Sequence, residues 1–153
     1  MLDNFFAIPR KKKSKSEQLL QEFAAKYFGG VLLPGVAKYE GHEASLGLGI
    51  MRPEPKDTYI EAQCKKFYNN FIIPAQRKLQ AKGVTKGSSD GFLFHRAGVI
   101  CLEFKIGKNK AQDAQEHFAK EMLAIGHPTE YPRTPEDVMA IPRKYNIKTR
   151  ETE

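Results

Sequence analysis

Cysteine and long apolar runs are both scarce in this sequence, and each scarcity excludes a class of protein. The two cysteines, Cys64 and Cys101, lie far apart and outside the C-x-x-C spacing of zinc sites. They predict reduced, buried thiols in a cytosolic protein rather than a disulfide scaffold. No apolar run is long enough to span a bilayer. The N-terminus "MLDNFFAIPRKKK" also lacks the order of a secretion signal, because its charges follow a short apolar run.

The composition is that of a basic globular protein. The chain has 153 residues, 41% of them apolar, and a net charge of +7, which is enough for one domain with a proper core. A basic surface favours a polyanionic partner, either nucleic acid or an anionic membrane, although a soluble protein can also simply be basic. The tract "RKKKSKS" at 10–16 is interpreted either as an arm that lies on phosphates or as a solubilising linker.

Periodicity predicts alternating helices and strands. A helix begins at Ser16 and ends at Gly29 and Gly30, and residues 31–56 are predicted to be loop with room for one short strand. A capped helix follows Asp57, then a buried strand "FIIP" ended by Pro74, then a small helix closed by Gly83. Residues 109–126 predict a helix, "HPTEYPR" an edge strand, and Thr134 the N-cap of a last helix. The helix at 109–126 is expected to bury Ala111, Ala114, Phe118, Met122 and Ile125.

The stretch "SSDGFLFHRAGVICLEFKIGK" at 88–108 predicts a β-hairpin. Side chains alternate faces along a strand, so Glu103 and Lys105 point the same way. With "HRAG" as the turn, Phe94 pairs with Val99, and Asp90 comes to face Glu103. Two carboxylates that close repel unless one is protonated or a cation lies between them.

Acid, acid and amine on one platform are the parts for phosphodiester hydrolysis. A hard divalent cation such as Mg²⁺ or Mn²⁺ prefers oxygen ligands, and its charge activates bound water. A neighbouring lysine neutralises developing negative charge. The alternative is that Asp90 belongs only to a turn and that Glu103 and Lys105 form a solvated ion pair.

The order of these residues resembles the PD-(D/E)xK nuclease superfamily, and more narrowly a stand-alone VRR-NUC domain. The similarity covers residues 57–147. It rests on Asp90, on Glu103-Phe104-Lys105, on Gln115 at the start of the next helix, and on several flanking positions: Ile73-Pro74, Leu79, Gly83-Val84, Gly87 and Gly126. The proline that precedes the family's acid is Ser89 here, and the family's "NG" after its earlier proline is Ala75-Gln76.

The resemblance implies a fold and a role for each residue. The fold is α/β: a restriction-endonuclease-like core with a mixed central β-sheet flanked by helices in the order αβββαβ. Residues 1–56 would be an N-terminal extension with the basic arm, a helix and a Gly/Pro-rich loop, and residues 57–153 the nuclease domain. The metal ligands would be Asp90, Glu103, the Phe104 carbonyl and a first-helix acid, Glu61, with Glu17 or Glu22 as the fallback. Lys105 would position or activate the attacking water, and Gln115 would fix Lys105 or the substrate phosphate.

The resemblance also predicts the partner and the activity. The expected protein is a cytoplasmic, bacterial or phage-encoded homodimer that cleaves DNA with Mg²⁺ or Mn²⁺, with branched, flap or four-way junction DNA as candidate substrates. The predicted phosphate contacts are Arg10, Lys11, Lys12, Lys13, Lys86, Lys108 and Lys110. The alternatives are a nuclease-like module that binds nucleic acid without cutting it, and a structural protein in which the acids have no role.

Overall fold

The computed structural model describes residues 15–42, 58–85 and 87–152, apart from the side chains at positions 15, 16, 58–61, 64 and 68. The chain forms two compact units, one made of residues 1–13 and 45–84 and the other of residues 14–44 and 85–153. In the first unit, helix α2 (Thr58–Phe67) runs through a π-helical turn (Tyr68–Ile72) into helix α3 (Ile73–Ala81).

The second unit is a four-stranded mixed sheet with helices. Its elements in chain order are helix α1 (Lys15–Val31), strands β1 (Ala37–Gly41), β2 (Gly91–His95) and β3 (Gly98–Leu102), helix α4 (Asp113–Ala124), strand β4 (Thr129–Glu130) and helix α5 (Pro135–Lys144). The spatial order is β1-β2-β3-β4, and β4 is parallel to β3 while the other neighbours are antiparallel. The predicted mixed sheet flanked by helices is therefore confirmed.

The predicted hairpin register is confirmed as well. Phe94 pairs with Val99 and Phe92 with Cys101, and Arg96 and Ala97 form the turn. Alternation places Leu93, Ile100 and Leu102 on one face, where they are fully buried. The core of this unit joins that face to α1, α5 and flanking residues; it consists of Leu20, Ala24, Phe28, Leu32, Leu93, Ile100, Leu102, Phe104, Val138, Ile141 and Ile147.

The predicted boundary at residue 57 is not the one that the contacts show. Helix α1 packs into the core through Leu20, Ala24 and Phe28, and β1 pairs with β2 along its whole length. Residues 15–42 therefore belong to the sheet unit rather than to an N-terminal extension. The order αβββαβ is present, but its first helix is α1, its first strand is β1, and residues 45–84 form a separate unit between β1 and β2.

Two element predictions are wrong. "FIIP" is helical, because Ile72 ends the π-helical turn and Pro74 lies in the first turn of α3, where proline's missing N–H costs nothing. Helix α4 buries no residue completely, and Ile125, which was expected in the core, is exposed. By contrast, the Thr134 cap is confirmed: its hydroxyl accepts a hydrogen bond from the Asp137 N–H at 3.2 Å. Among the described helices, none is both long and apolar enough to cross a membrane.

Candidate active site

Asp90 lies just before β2 and is fixed by two neighbouring elements. The His42 N–H, just after β1, donates to the Asp90 carbonyl at 2.7 Å. The Phe104 N–H, just after β3, donates to Asp90 Oδ2 at 3.0 Å. The side chain is thus held across the hairpin at the end opposite its turn, where Glu103 also lies. Phe104 is fully buried, and it contributes its N–H to this arrangement.

Glu103 and Lys105 follow β3 as it continues beside β4. The Glu103 N–H donates to the Glu130 carbonyl at 3.0 Å and the Lys105 N–H to the Pro132 carbonyl at 3.2 Å, so both residues keep the strand's alternation and share a face. Lys105 Nζ donates to Glu103 Oε1 at 3.1 Å. The two residues are only 3% and 7% exposed, so this is a buried ion pair rather than the solvated one considered from sequence.

Gln115 joins the pair from the first turn of α4. Its Oε1 accepts from Lys105 Nζ at 2.9 Å and from the Gln112 N–H at 2.9 Å. Its Nε2 donates to Glu103 Oε1. Gln115, the third residue of the helix, therefore both caps the helix N-terminus and fixes the Glu103–Lys105 pair. The predicted contact of Gln115 with Lys105 is present.

Gly87 explains how α4 can come this close to the Asp90 segment. Its φ is +80°, and a Cβ added there would lie 2.4 Å from the backbone carbonyl atoms of Ala114. A side chain at this position would meet main chain that cannot move aside without displacing the first turn of α4. Glycine is thus required here both for its conformation and for space.

The electrostatics indicate two carboxylates that share one region. Burial and then the Asp90 carboxylate raise the pKa of Glu103 from 4.5 to about 7, although the Lys105 ammonium opposes that rise. Glu17 on α1 also raises it, as the weakest of these influences. On Tyr39, burial and then the Asp90 charge raise the phenol pKa to about 12.

The carboxylate oxygens of the site suit a hard divalent cation. In the described part of the chain, hydrogen bonds reach Asp90 only at Oδ2 and Glu103 only at Oε1, which leaves one oxygen of each carboxylate for a ligand bond. A cation between them would offset the repulsion that raises the Glu103 pKa. The described residues contain no group of three or more His, Cys, Asp or Glu that could hold a metal ion, so the set seen here is two acids plus backbone.

Of the other predicted site residues, the structure describes only some. Glu61 is on α2, and its side chain lies outside the described residues. Lys108 and Lys110 are exposed in the loop between β3 and α4. The remaining predicted phosphate contacts also lie outside the described residues: Arg10, Lys11, Lys12, Lys13 and Lys86.

Sequence reasoning missed residues that β1 and β4 bring to the site. Tyr39 is on β1, and His42 follows it, with Nε2 3.2 Å from Ser88 Oγ and its ring 5.5 Å from that of Phe92. Tyr131 follows β4, and its phenol is close enough to Glu103 for the carboxylate to raise its pKa. The only available signal was the apolar alternation of "VAKYEG", which predicts a strand but not its partner.

Comparison of the chain with protein-family models, with curated proteins and with solved structures found no match. The geometry of the site therefore carries the functional argument.

Proposed function

We propose that this protein is a Mg²⁺- or Mn²⁺-dependent DNA endonuclease of the VRR-NUC type within the PD-(D/E)xK superfamily. One observation carries the proposal: Glu103, Lys105 and Gln115 form one hydrogen-bonded network at one end of the β2–β3 hairpin. Asp90 is fixed beside it by the intervening Phe104 N–H, and its charge acts on Glu103. Buried ionisable groups with perturbed pKa values are typical of functional sites. A purely structural role would not require two carboxylates and an amine in one place.

Asp90 and Glu103 are the residues that would hold the metal ion, together with the Phe104 carbonyl. When bound there, a divalent ion lowers the pKa of a water ligand and offsets the negative charge of the phosphate. Because Glu103 has a raised pKa, it must lose its proton before it can act as a ligand. The unpaired oxygens of the two carboxylates would be the atoms that hold the ion.

Lys105 is the proposed catalytic cation. In hydrolysis the attacking water gives up a proton as its oxygen bonds to phosphorus, the phosphorus–oxygen bond to the leaving group breaks, and the leaving oxygen takes up a proton, so that one water is added overall. The Lys105 ammonium is held by Glu103 and Gln115 at 3.1 and 2.9 Å, so it orients the water and neutralises charge without reorganising. Gln115 is a positioning residue in this scheme, since it acts through Lys105.

Glu17, the fallback to Glu61 among the predicted first-helix acids, is proposed to act on the site through its charge rather than as a third metal ligand. Helix α1 is the first helix of the sheet unit, and the Glu17 charge contributes to the raised pKa of Glu103. The sequence interpretation selected Glu61 because a predicted strand and a small helix separated it from Asp90, as in the family; that strand is helical in the structure. Glu17→Gln is expected to lower cleavage more than Glu22→Gln, the matched change on the same helix.

The proposal is tested by cleavage of a DNA panel with purified protein. Duplex, single-stranded, flap and four-way junction DNA are incubated with Mg²⁺, with Mn²⁺ or with EDTA. We expect cleavage that EDTA abolishes and that Lys105→Ala lowers by at least about 100-fold, because a preorganised cation is lost. Lys26→Ala removes an exposed lysine of α1 and serves as the charge-matched control. Undiminished cleavage by a folded Lys105→Ala variant would contradict the assignment.

A second candidate is a nucleic-acid-binding module with the same fold. It is favoured by the net charge of +7 and by the exposed Lys108 and Lys110 beside the site. Such a module would bind DNA with the salt dependence of phosphate contacts and would show no metal-dependent cleavage on any member of the panel. The predicted homodimer is tested separately, by the molar mass that light scattering measures in solution.

A further inference from the structure

Tyr131 lies beside Glu103 on the same face of the sheet. Strands β3 and β4 are parallel, with Cys101 opposite Thr129 and Leu102 opposite Glu130. The next bond of this ladder, from the Glu103 N–H to the Glu130 carbonyl, extends the register by one residue. Side-by-side residues of a parallel pair point the same way. Tyr131 and Glu103 are therefore neighbours on the site's face.

The Tyr131 phenol is influenced by carboxylates from the end of β3 and from α4. Burial, then the carboxylates of Glu103 and Glu116, raise its pKa, so the hydroxyl keeps its proton at neutral pH. Glu116 is in the first turn of α4, one residue after Gln115. Tyr131 is nevertheless 37% exposed, which leaves it accessible to a substrate that enters the site.

The side-chain donors of this region differ in whether they already make hydrogen bonds within the protein. Lys105 Nζ donates to Glu103 and Gln115. Arg133, two residues after Tyr131, donates to the carbonyls of Gly107 and Asn109 at 2.7 and 2.9 Å. The Tyr131 hydroxyl makes no hydrogen bond to the described residues. The hydroxyl is therefore not held by the described part of the chain and is free to donate to a substrate oxygen in place of solvent.

We infer that the Tyr131 hydroxyl donates a hydrogen bond to a non-bridging oxygen of the phosphodiester bound at Asp90 and Glu103. The inference rests on the proposed function and adds a substrate-contacting residue to it. A phosphate carries negative charge that must be stabilised as the water attacks, and a preorganised neutral donor does this without adding another cation near Lys105. If Tyr131 only packs at the end of β4, its ring is needed and its hydroxyl is not.

Tyr131→Phe separates these roles because it removes the hydroxyl and retains the ring. With Mg²⁺ and the best substrate of the panel, we expect kcat/KM to fall on the order of 10- to 100-fold, as for loss of one transition-state donor. The matched control is Tyr27→Phe, which removes a hydroxyl that bonds to Glu151 at 3.3 Å and should leave kcat/KM unchanged. Circular dichroism checks that the folded fraction is the same in wild type, Tyr131→Phe and Tyr27→Phe.

The outcomes distinguish this inference from the function on which it rests. A fall in kcat/KM for Tyr131→Phe but not for Tyr27→Phe supports the phosphate contact. Equal kcat/KM in wild type and Tyr131→Phe overturns the contact and leaves the nuclease proposal standing. A folded wild type that cleaves no substrate with either metal overturns the nuclease proposal and the contact with it.

Discussion

At the scale of single residues, the site combines features that are costly for folding. Glu103 is a carboxylate with only 3% exposure, and it lies near Asp90. Desolvation and repulsion both disfavour its charged form, and the amine of Lys105 offsets them only in part. Under the proposed function, such an arrangement persists because it serves a metal ion, and folding without that ion is expected to be weaker.

The raised pKa of Glu103 predicts how stability without metal depends on pH. Because the folded state binds this proton more tightly than the unfolded chain, the contribution of Glu103 is fully present below pH 4.5 and is lost as pH rises to about 7. We expect the free energy of unfolding in EDTA to fall by up to about 3 kcal/mol across that range, at about 1.4 kcal/mol per pKa unit.

Urea denaturation at each pH measures this loss. Glu103→Gln cannot titrate, so the difference between wild type and variant isolates the carboxyl from all other groups. Added Mg²⁺ should restore wild-type stability above pH 7, where the carboxylate can bind it. A difference curve that is flat between pH 4.5 and 7 would show that Glu103 titrates alike in the folded and unfolded chains and would contradict the account.

At the scale of elements, the site depends on the close approach of α4 to the segment before β2. Gly87 has φ +80° and lies against the backbone of Ala114, one residue before Gln115. The helix carries Gln115 to Lys105 only if this contact is preserved. The position of one glycine thus controls the geometry of residues far away in sequence.

Gly87→Ala should therefore lower both stability and activity. The positive φ alone costs about 1–3 kcal/mol for a residue with a Cβ, and the overlap with Ala114 adds displacement of α4. Gly35→Ala is the matched control, since Gly35 has φ +77° and nothing within 4 Å of an added Cβ. Chemical denaturation should show destabilisation of both variants, larger in Gly87→Ala, and cleavage assays should show loss of activity only in Gly87→Ala. Equal activity of the two variants would contradict a role for the contact.

Local signals account for what could be predicted at this scale. The β2–β3 hairpin has strict alternation around a short turn, so its register follows from the sequence. The segment "FIIP" was misassigned because a short apolar run is compatible with either helix or strand. The pairing of β1 with β2 was missed because about 50 residues separate Gly41 from Gly91, and loop closure over that distance leaves no local pattern.

At the scale of the whole molecule, the sheet unit contains the main core and the candidate site. Its buried residues come from both sides of the inserted segment 45–84. Asp90, Glu103, Lys105 and Gln115 could be identified from spacing because they lie within one stretch of the chain. Tyr39 and Tyr131 could not, because the fold brings them from β1 and the end of β4. Glu17 could be named only as a fallback, because it lies on α1, far from the hairpin in sequence.

Hydrogen exchange should reflect this division. Leu93, Ile100 and Leu102 are fully buried in the two central strands, so their amides should exchange only on global unfolding. Helix α3 buries none of its residues. Its amides should therefore exchange through local opening, which requires less free energy than global unfolding. Native-state exchange measured by NMR tests the ranking. Amides of α3 as slow as those of Leu93 and Ile100 would contradict it.

The central claim is that Asp90 and Glu103 together hold one divalent ion beside Lys105. Titration calorimetry with Mn²⁺ at pH 8 tests it most directly, using wild type, Asp90→Asn, Glu103→Gln and the control Asp113→Asn, which alters an exposed acid of α4. We predict one site per chain in wild type and Asp113→Asn, and none in the other two variants. Mn²⁺ binding that survives both Asp90→Asn and Glu103→Gln, or no binding by the folded wild type, would contradict the account.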